Sequence, residues 1–392
     1  MKTNRRDFFK NVGAGVAVAG ITAALPSAAQ TAAKVEKGQT TSKAQALDAS
    51  DFVAPLVPVD RHREGWPIRS ELKSKRIKFD TPQNHISWAY MKEMRENNKT
   101  RRIYPVNPYV EVYQLRDNEY ELFSENCDGL GDFFMHLIIG PEKAMLIDCG
   151  YGLGDVKGLV DQLAGGKPLI VVNTHEHPDH AFGNCRFDKV YCHEYLVPAL
   201  EQQNAHMFDY LFDDYGDNIW LQFDRKDLPA FKKYGIVGVK DGHTFNLGGN
   251  YEIELIFTGG HSPGHAAYLD KKNRILYTGD NICSDVSSCG SVNVTRPGPY
   301  SENTLLKVYR DNVKRLVDRI DEYDYIFPNH FMTNLENNLM PNILEACDAI
   351  LANPENYDYK VEKWNKGGPE SSVRYSKFIK GFSVIVYSYK KA

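Results

Sequence analysis

No strong excess of charge of either sign marks this 392-residue chain: 47 basic residues stand against 51 acidic ones, a formal net charge of −4. Composition therefore points neither to nucleic acid nor to an anionic membrane surface as a partner. Cysteine is scarce. The seven present are too few for a disulfide mini-scaffold, and an odd number leaves at least one thiol over in an oxidising compartment. No repeat of solenoid period is visible. At 42% apolar and 25% charged residues, wholesale disorder and collagen are excluded, and the length suits one large domain with appendages, or two domains.

The N-terminus reads as an address. Lys2, Arg5, Arg6 and Lys10 precede an apolar, Ala- and Gly-rich stretch from Val12 to Leu25, too short for a spanning helix, and then Pro26-Ser27-Ala28-Ala29, a small-residue cleavage signal. Asn4-Arg5-Arg6-Asp7-Phe8-Phe9-Lys10 resembles the twin-arginine export motif. No cysteine follows the cleavage site to carry a lipid anchor. Removing residues 1–29 leaves 363 residues with net charge −7, an acidic exported protein, periplasmic or extracellular. Residues 30–50 (Ala, Thr, Lys, Ser and Gln) read as a disordered tether. Residues 51–107, with five prolines and poor periodicity, read as an N-terminal extension wrapping a larger domain at 108–392.

Within that domain the pattern is regular. Phe133 to Ile139 and Ala144 to Ile147 read as a hairpin pair, Asp155 to Leu163 as a short helix, and Leu169 to Thr174 as a buried strand. Tyr251 to Thr258, Arg274 to Thr278 and Tyr323 to Phe327 read as strands. Leu305, Leu306, Tyr309, Val313, Leu316, Val317 and Ile320 predict a long amphipathic helix with Ser301 as N-cap. Ser376 to Tyr389 predicts one or two closing strands. The alternation makes the class α/β.

The chemistry concentrates in Thr174-His175-Glu176-His177-Pro178-Asp179-His180, where three histidines and an aspartate fall within six residues. His175 and His177 alternate on an extended segment, so both imidazoles can face one way. Pro178 can turn Asp179 and His180 towards a second point. Imidazole and carboxylate are zinc ligands, usually three or four per ion. Four more predicted strands end just before residues of ligand type: Asp148, His261, Asp280 and His330. Strand ends of this kind are where α/β sites assemble. Five of the 12 histidines thus sit just past strand ends.

Taken in order, Leu146-Ile147-Asp148-Cys149-Gly150, Thr174 to His180, Thr258 to His265, Leu276-Tyr277-Thr278-Gly279-Asp280 and Pro328-Asn329-His330 resemble the motifs of the metallo-β-lactamase superfamily of binuclear metallohydrolases. The resemblance covers about Pro108 to Ile350. It implies a four-layer αββα sandwich with two Zn2+ per chain, although iron or manganese can occupy similar sites. It implies that His175, His177 and His261 hold one ion, that Asp179, His180 and His330 hold the other, and that Asp280 bridges them. Asp148, and His265 beyond His261, would orient the ligands from behind. The implied reaction is hydrolysis by a metal-bridging hydroxide, with Asp179 orienting it and later helping to protonate the leaving group.

The sequence departs from the family at Gly259-Gly260-His261, where Pro-Gly-His is usual, and at Pro328-Asn329-His330, where Pro-Gly-His is again usual. The carboxylate at Asp280 favours the thioesterase, lactonase, phosphodiesterase and sulfatase branches over true zinc β-lactamases, which typically lack it. The expected substrate is an ester, thioester or lactone of a small organic molecule. The alternatives are a phosphodiester or sulfate ester, with a β-lactam behind these and a metal-binding protein without turnover as the non-enzymatic reading. No nucleic acid and no stable membrane anchor are expected.

Residues 201–233 contain Met207, Phe208, Tyr210, Leu211, Phe212, Tyr215, Trp220, Phe223 and Phe231. They read either as an aromatic lid over the metals or as a helical cap packed on the core. Cys283 and Cys289 are close enough in sequence for a small-loop disulfide. Cys149 and Cys192 read as inert thiols, and His136 carries no motif. Neither the substrate-binding residues nor the oligomeric state can be read from the motifs.

Overall fold

The computed structural model describes residues 71–77, 85–295, 297–363, 372–381 and 383–391. The expected signal and tether, and residues 51–70 of the expected extension, lie outside the described residues. No helix among the described residues is long and apolar enough to cross a membrane.

The described chain begins with β1 (Lys75–Arg76) and helix α1 (His85–Asn97), then enters an antiparallel meander of β2 (Arg102–Tyr104), β3 (Asn107–Arg116), β4 (Glu119–Ser124), β5 (Phe133–Ile139) and β6 (Ala144–Ile147). Helix α2 (Val156–Leu163) is capped by Asp155, whose carboxylate accepts from the Gly158 N–H at 2.8 Å. It crosses to β7 (Leu169–Val172), and β8 (Lys189–His193) follows; both run parallel to β6. β9 (Leu221–Gln222) pairs back with β1, and β10 (Gly235–Val239) closes the first sheet, in the order β10-β8-β7-β6-β5-β4-β3-β2. The sheet therefore takes in Arg102–Tyr104, residues the sequence pattern leaves with the extension, because Arg102 and Ile103 pair in register with Val112 and Glu111.

The second sheet has the order β11-β12-β13-β14-β16-β17, built from β11 (Thr244–Asn246), β12 (Glu252–Phe257), β13 (Ala266–Asp270), β14 (Ile275–Gly279), β16 (Tyr325–Pro328) and β17 (Leu335–Glu336). Strand β15 (Ser287–Ser291) leaves it to join β18 (Tyr359–Lys363), β19 (Ser372–Ile379) and β20 (Ser383–Ser388). Helix α3 (Leu306–Val317) carries the chain from β14 to the parallel β16, and α4 (Leu339–Ala352) follows β17.

Side-chain alternation builds the layers. On β13, Ala266 and Tyr268 face the first sheet while Ala267 and Leu269 face outwards; on β14, Ile275 and Tyr277 face in and Leu276 out. Ile138, Met145, Ile147 and Val172 meet this inner face from the first sheet. Leu159 and Val160 of α2 cover the far side of the first sheet, and Tyr309, Val313, Ile343 and Cys347 of α3 and α4 cover that of the second. The result is an αββα sandwich. Strands buried on both faces read as nearly unbroken apolar runs, which is why Leu169 to Val172 shows no alternation in sequence.

Helix α1 anchors the N-terminal part. Met91 and Met94 pack with Leu72, Tyr113, Phe123 and Phe134. Arg95, fully buried, is bidentate to Glu111 at 2.7–3.1 Å and lies 3.9 Å from Glu125.

Three local expectations need correction. Ser301 does not cap α3. It opens a separate 3-10 turn (Ser301–Thr304), and Leu305, in extended conformation, stands between that turn and the helix. The 201–233 insertion is not a helical cap: its described turns are 3-10 at Asp209–Leu211 and Arg225–Asp227. There Asn204 and Asp213 side chains accept nearby backbone N–H groups at 2.9 Å and compete with helix formation. Cys283 and Cys289 are not bridged. Both are buried thiols, the first directed at the Gly279 carbonyl and the second at that of Ser287.

Candidate metal centre

Five strand ends converge on one edge of the sandwich. β6 runs into Asp148, β7 into Thr174 and His175, β12 into the loop of His261, β14 into Asp280 and β16 into His330. The sheets are tied together there by Tyr268, which donates to the Asn173 carbonyl at 2.7 Å, and by the Ala266 N–H, which donates to that of Thr174 at 2.9 Å.

Two groups of ligand atoms face each other across Asp280. In the first, His175 Nε2 and His261 Nε2 each lie 3.0 Å from His177 Nδ1, and 3.8 and 3.5 Å from Asp280 Oδ2. In the second, His180 Nε2 and His330 Nε2 are 3.2 Å apart, with Asp179 oxygens at 3.6 and 3.3 Å and Asp280 oxygens at 3.3 and 3.4 Å. The tertiary structure thus gathers all seven residues expected as ligands. Pro178 starts a single helical turn, Pro178–Ala181, which swings Asp179 and His180 away from His175 and His177 towards the second group.

The donor set fits a divalent metal. Metal–nitrogen bonds of about 2.0–2.1 Å in a tetrahedron place neighbouring nitrogens roughly 3.3 Å apart, close to the spacings seen. Asp280 Oδ1 is buried between the groups without a hydrogen-bond partner. The outward nitrogens are engaged: His180 Nδ1 at Asp148 Oδ2 (2.9 Å), His261 Nδ1 at the Ser288 carbonyl (2.9 Å), His330 Nδ1 at the Asp132 carbonyl (3.0 Å) and His175 Nδ1 at Thr174 Oγ1 (3.0 Å). Each such contact makes the outer nitrogen the N–H and leaves the inner one as a lone pair.

Burial holds His175 well below the usual imidazole range, reinforced by His180, and lowers His261 to about 4. For His180 and His330, burial also acts downwards, but the carboxylates of Asp280 and Asp179 outweigh it; His180 is pushed up to about 10, and His330 is held well above the usual imidazole range. An environment that draws protons onto two imidazoles is one that favours a cation.

Asp148 sits in the left-handed region (φ 60°), and its carboxylate accepts from Thr174 N (2.8 Å), Thr174 Oγ1 (2.6 Å), His180 Nδ1 and Asn329 Nδ2 (3.0 Å). Together with His175 and His180 it also forms a third, fully buried group of ligand type. His265 stacks on His175 with centroids 5.1 Å apart; its Nδ1 meets Thr258 Oγ1 at 2.8 Å and its Nε2 accepts the Asp280 N–H at 3.3 Å.

The two departures from the usual motifs acquire physical reasons. Gly259 has φ +58°, which proline cannot adopt, and a Cβ there would meet the Asn303 carbonyl at 2.7 Å. Asn329 donates to Asp148 and, at 2.7 Å, to the Phe134 carbonyl. Several supporting residues carried no motif. Asn281 accepts the His261 N–H at 3.0 Å, and Asn126 Nδ2 donates to Asp179 Oδ2 at 2.8 Å. Asp132, paired with Arg76 at 2.5 Å, shapes the loop whose carbonyl holds His330. Only Asn281, adjacent to Asp280, carried a positional signal.

Residues 134–320 match the sequence profile of the Metallo-beta-lactamase superfamily. This chain carries a metallo-beta-lactamase superfamily domain. It is similar to the acyl-coenzyme A thioesterase MBLAC2 of Homo sapiens, 27% identical over 221 residues that span 50% of this chain and 72% of that protein. It is also similar to the atrochrysone carboxyl ACP thioesterase of Aspergillus fumigatus, 26% identical over 159 residues, 40% of this chain and 31% of that one. Among solved structures, a metallo-beta-lactamase from Pontibacter korlensis, 18% identical, has a TM-score of 0.43 over 61% of this chain and 99% of its own. The metallo-beta-lactamase domain makes the protein a metal-binding hydrolase.

Proposed function

We propose that this protein is a binuclear zinc hydrolase that cleaves a thioester, or a related ester or lactone, of a small organic substrate. The observation that carries the reading is the pair of converging ligand groups flanking Asp280. His175, His177 and His261 would hold one ion, Asp179, His180 and His330 the other, with Asp280 shared. Bound divalent metal supplies Lewis-acid polarisation of the scissile carbonyl and acidifies water near neutral pH.

The chain's own residues do the rest. The outward contacts of four histidines fix their tautomers, and His265 fixes the backbone of Asp280. Asp179, held on one oxygen by Asn126, is suited to orient the attacking water and carry its proton to the leaving group. The thioesterase activity named for two relatives supports the choice of bond. A thiol leaving group, with a pKa near 8.5, also departs with little help from an acid.

The test is a panel of acyl-CoA thioesters, aryl esters, lactones, phosphodiesters and sulfate esters on zinc-loaded protein, with His177→Ala as control. Thioester turnover lost in His177→Ala is expected; absence of turnover on the carbon-acyl substrates, or turnover confined to phosphodiesters or sulfates, would overturn the assignment. We further propose export by the twin-arginine route, from Arg5 and Arg6 and the small-residue stretch at 26–29. Residues 1–50 fused to a reporter should reach the periplasm, and Arg5→Lys with Arg6→Lys should block this.

A further inference from the structure

Within the insertion at 201–233, Phe208 and Leu211 belong to the outer-layer core, buried with α2 and its sheet. Tyr210, between them in the 3-10 turn Asp209–Leu211, behaves differently. It is 40% exposed, and its hydroxyl lies 3.1 Å from that of Tyr151, a fully buried residue on the loop after Asp148. Tyr151 is fixed by edge-on packing against Phe182, which in turn meets Phe208 edge-on. Its hydroxyl reaches Asn126 Oδ1 at 3.3 Å, and Asn126 Nδ2 donates to Asp179 Oδ2 at 2.8 Å. An unbroken chain of side chains therefore runs from the insertion to a carboxylate of the metal centre.

The direction of this chain follows from its middle. Asn126 is fully buried, with its amide group donating to Asp179 and to the Gly131 carbonyl (3.2 Å). Its Oδ1 accepts the Asp128 N–H at 2.9 Å, so the amide cannot be reversed. Asn126 Oδ1 can only accept, so Tyr151 is the donor. Its own oxygen is then left to accept from Tyr210. Tyr210 donates to Tyr151, Tyr151 to Asn126 and Asn126 to Asp179, so every dipole points at the carboxylate and each bond polarises the next.

We propose that Tyr210 is a positioning residue for Asp179, acting through Tyr151 and Asn126, so that the insertion forms part of the metal centre instead of merely covering it. This deepens the hydrolase reading and rests on it. The ring of Tyr210 stays half-exposed beside Trp220, with centroids 6.4 Å apart.

The test is a double-mutant cycle of Tyr210→Phe and Tyr151→Phe, with Asn126→Ala as reference. The readouts are affinity for the weaker-bound metal ion and the visible spectrum of the cobalt-substituted protein. Each phenylalanine variant keeps its ring and is expected to fold with unchanged circular dichroism. Each should lower that affinity about three- to tenfold, the loss of one hydrogen bond, and shift the cobalt bands in the same sense as Asn126→Ala. The double variant should be no worse than either single one, and kcat should fall with KM nearly constant. Wild-type affinity and cobalt spectrum in Tyr210→Phe, or strictly additive losses, would overturn the relay while leaving the hydrolase reading intact. Failure of the wild-type protein to bind a second ion would overturn both.

Discussion

Asn329 Nδ2 stands 3.0 Å from Asp148 Oδ2 and 2.7 Å from the Phe134 carbonyl, joining the last ligand loop to the acid that orients His180. Asn329→Ala should leave Asp148 one donor short and let the loop bearing His330 drift. Asp148→Asn keeps shape at a φ of 60° that asparagine tolerates, yet removes the charge facing His180. Each should weaken metal binding about 10- to 100-fold. Chelator competition on folded protein measures it; unchanged metal affinity in both variants would remove Asp148 from the role assigned to it.

Asp179→Asn tests the proton-handling role separately from metal binding. The amide can still ligate through its oxygen but cannot accept a proton. Zinc content near that of the wild type, with kcat lowered by about 10²- to 10⁴-fold, is the expected result. Full turnover at full zinc content would exclude Asp179 as the proton carrier.

Gly260 has φ +74°, and a Cβ built on it would lie 2.7 Å from the ring of Tyr309, itself fully buried in α3. Gly260→Ala should cost about 1–3 kcal/mol through backbone strain and ring displacement. Because the loop it distorts carries His261, metal affinity should fall as well. Denaturant unfolding of the metal-free protein reads the first effect alone.

Between the sheets, Glu119 and Glu121 flank His136, each 3.8 Å from its Nδ1, and none of the three side chains has a hydrogen-bond partner. Burial pushes both carboxyls up, to about 8, with Arg116 acting the other way on Glu119 and His136 on Glu121. A carboxyl raised on folding contributes stability in full below its unfolded value near 4.3 and loses it as pH rises to about 8. Glu121→Gln should therefore gain stability relative to the wild type between pH 5 and 8, and flatten the dependence in that window. Parallel unfolding curves of the two metal-free proteins across this range would show the carboxyl to be ionised at no cost.

Arg95, buried against Glu111 and Glu125, ties α1 to the first sheet. Arg95→Ala removes the closest cation from two buried carboxylates, leaving Glu111 only Arg101 at 3.4 Å, and should cost about 3–5 kcal/mol. Glu111→Gln in the same background should recover part of this, which thermal unfolding of the single and double variants would show.

The candidate metal ligands were legible because their chemistry restricts the residue type. Only imidazole and carboxylate serve, and the His175–His180 spacing with ligand-type residues after later strands left little freedom. The α/β class was legible from the alternation of strands and helices, whereas the αββα layering followed only from the resemblance of the motifs to the superfamily. The residues behind the ligands were not. Asn126 and Asp132 make ordinary amide, carbonyl and carboxylate contacts that many residues could make, so nothing in their sequence context marks them, and Asn281 is marked only by its place beside Asp280. Their roles arise when segments 20 to 198 residues apart in sequence come together. The insertion went the same way. Its aromatic content was visible in the sequence. Only tertiary packing separated Phe208 and Leu211, which fill the outer layer, from Tyr210, which reaches Tyr151, because burial and direction are properties of the assembled surface and not of the chain.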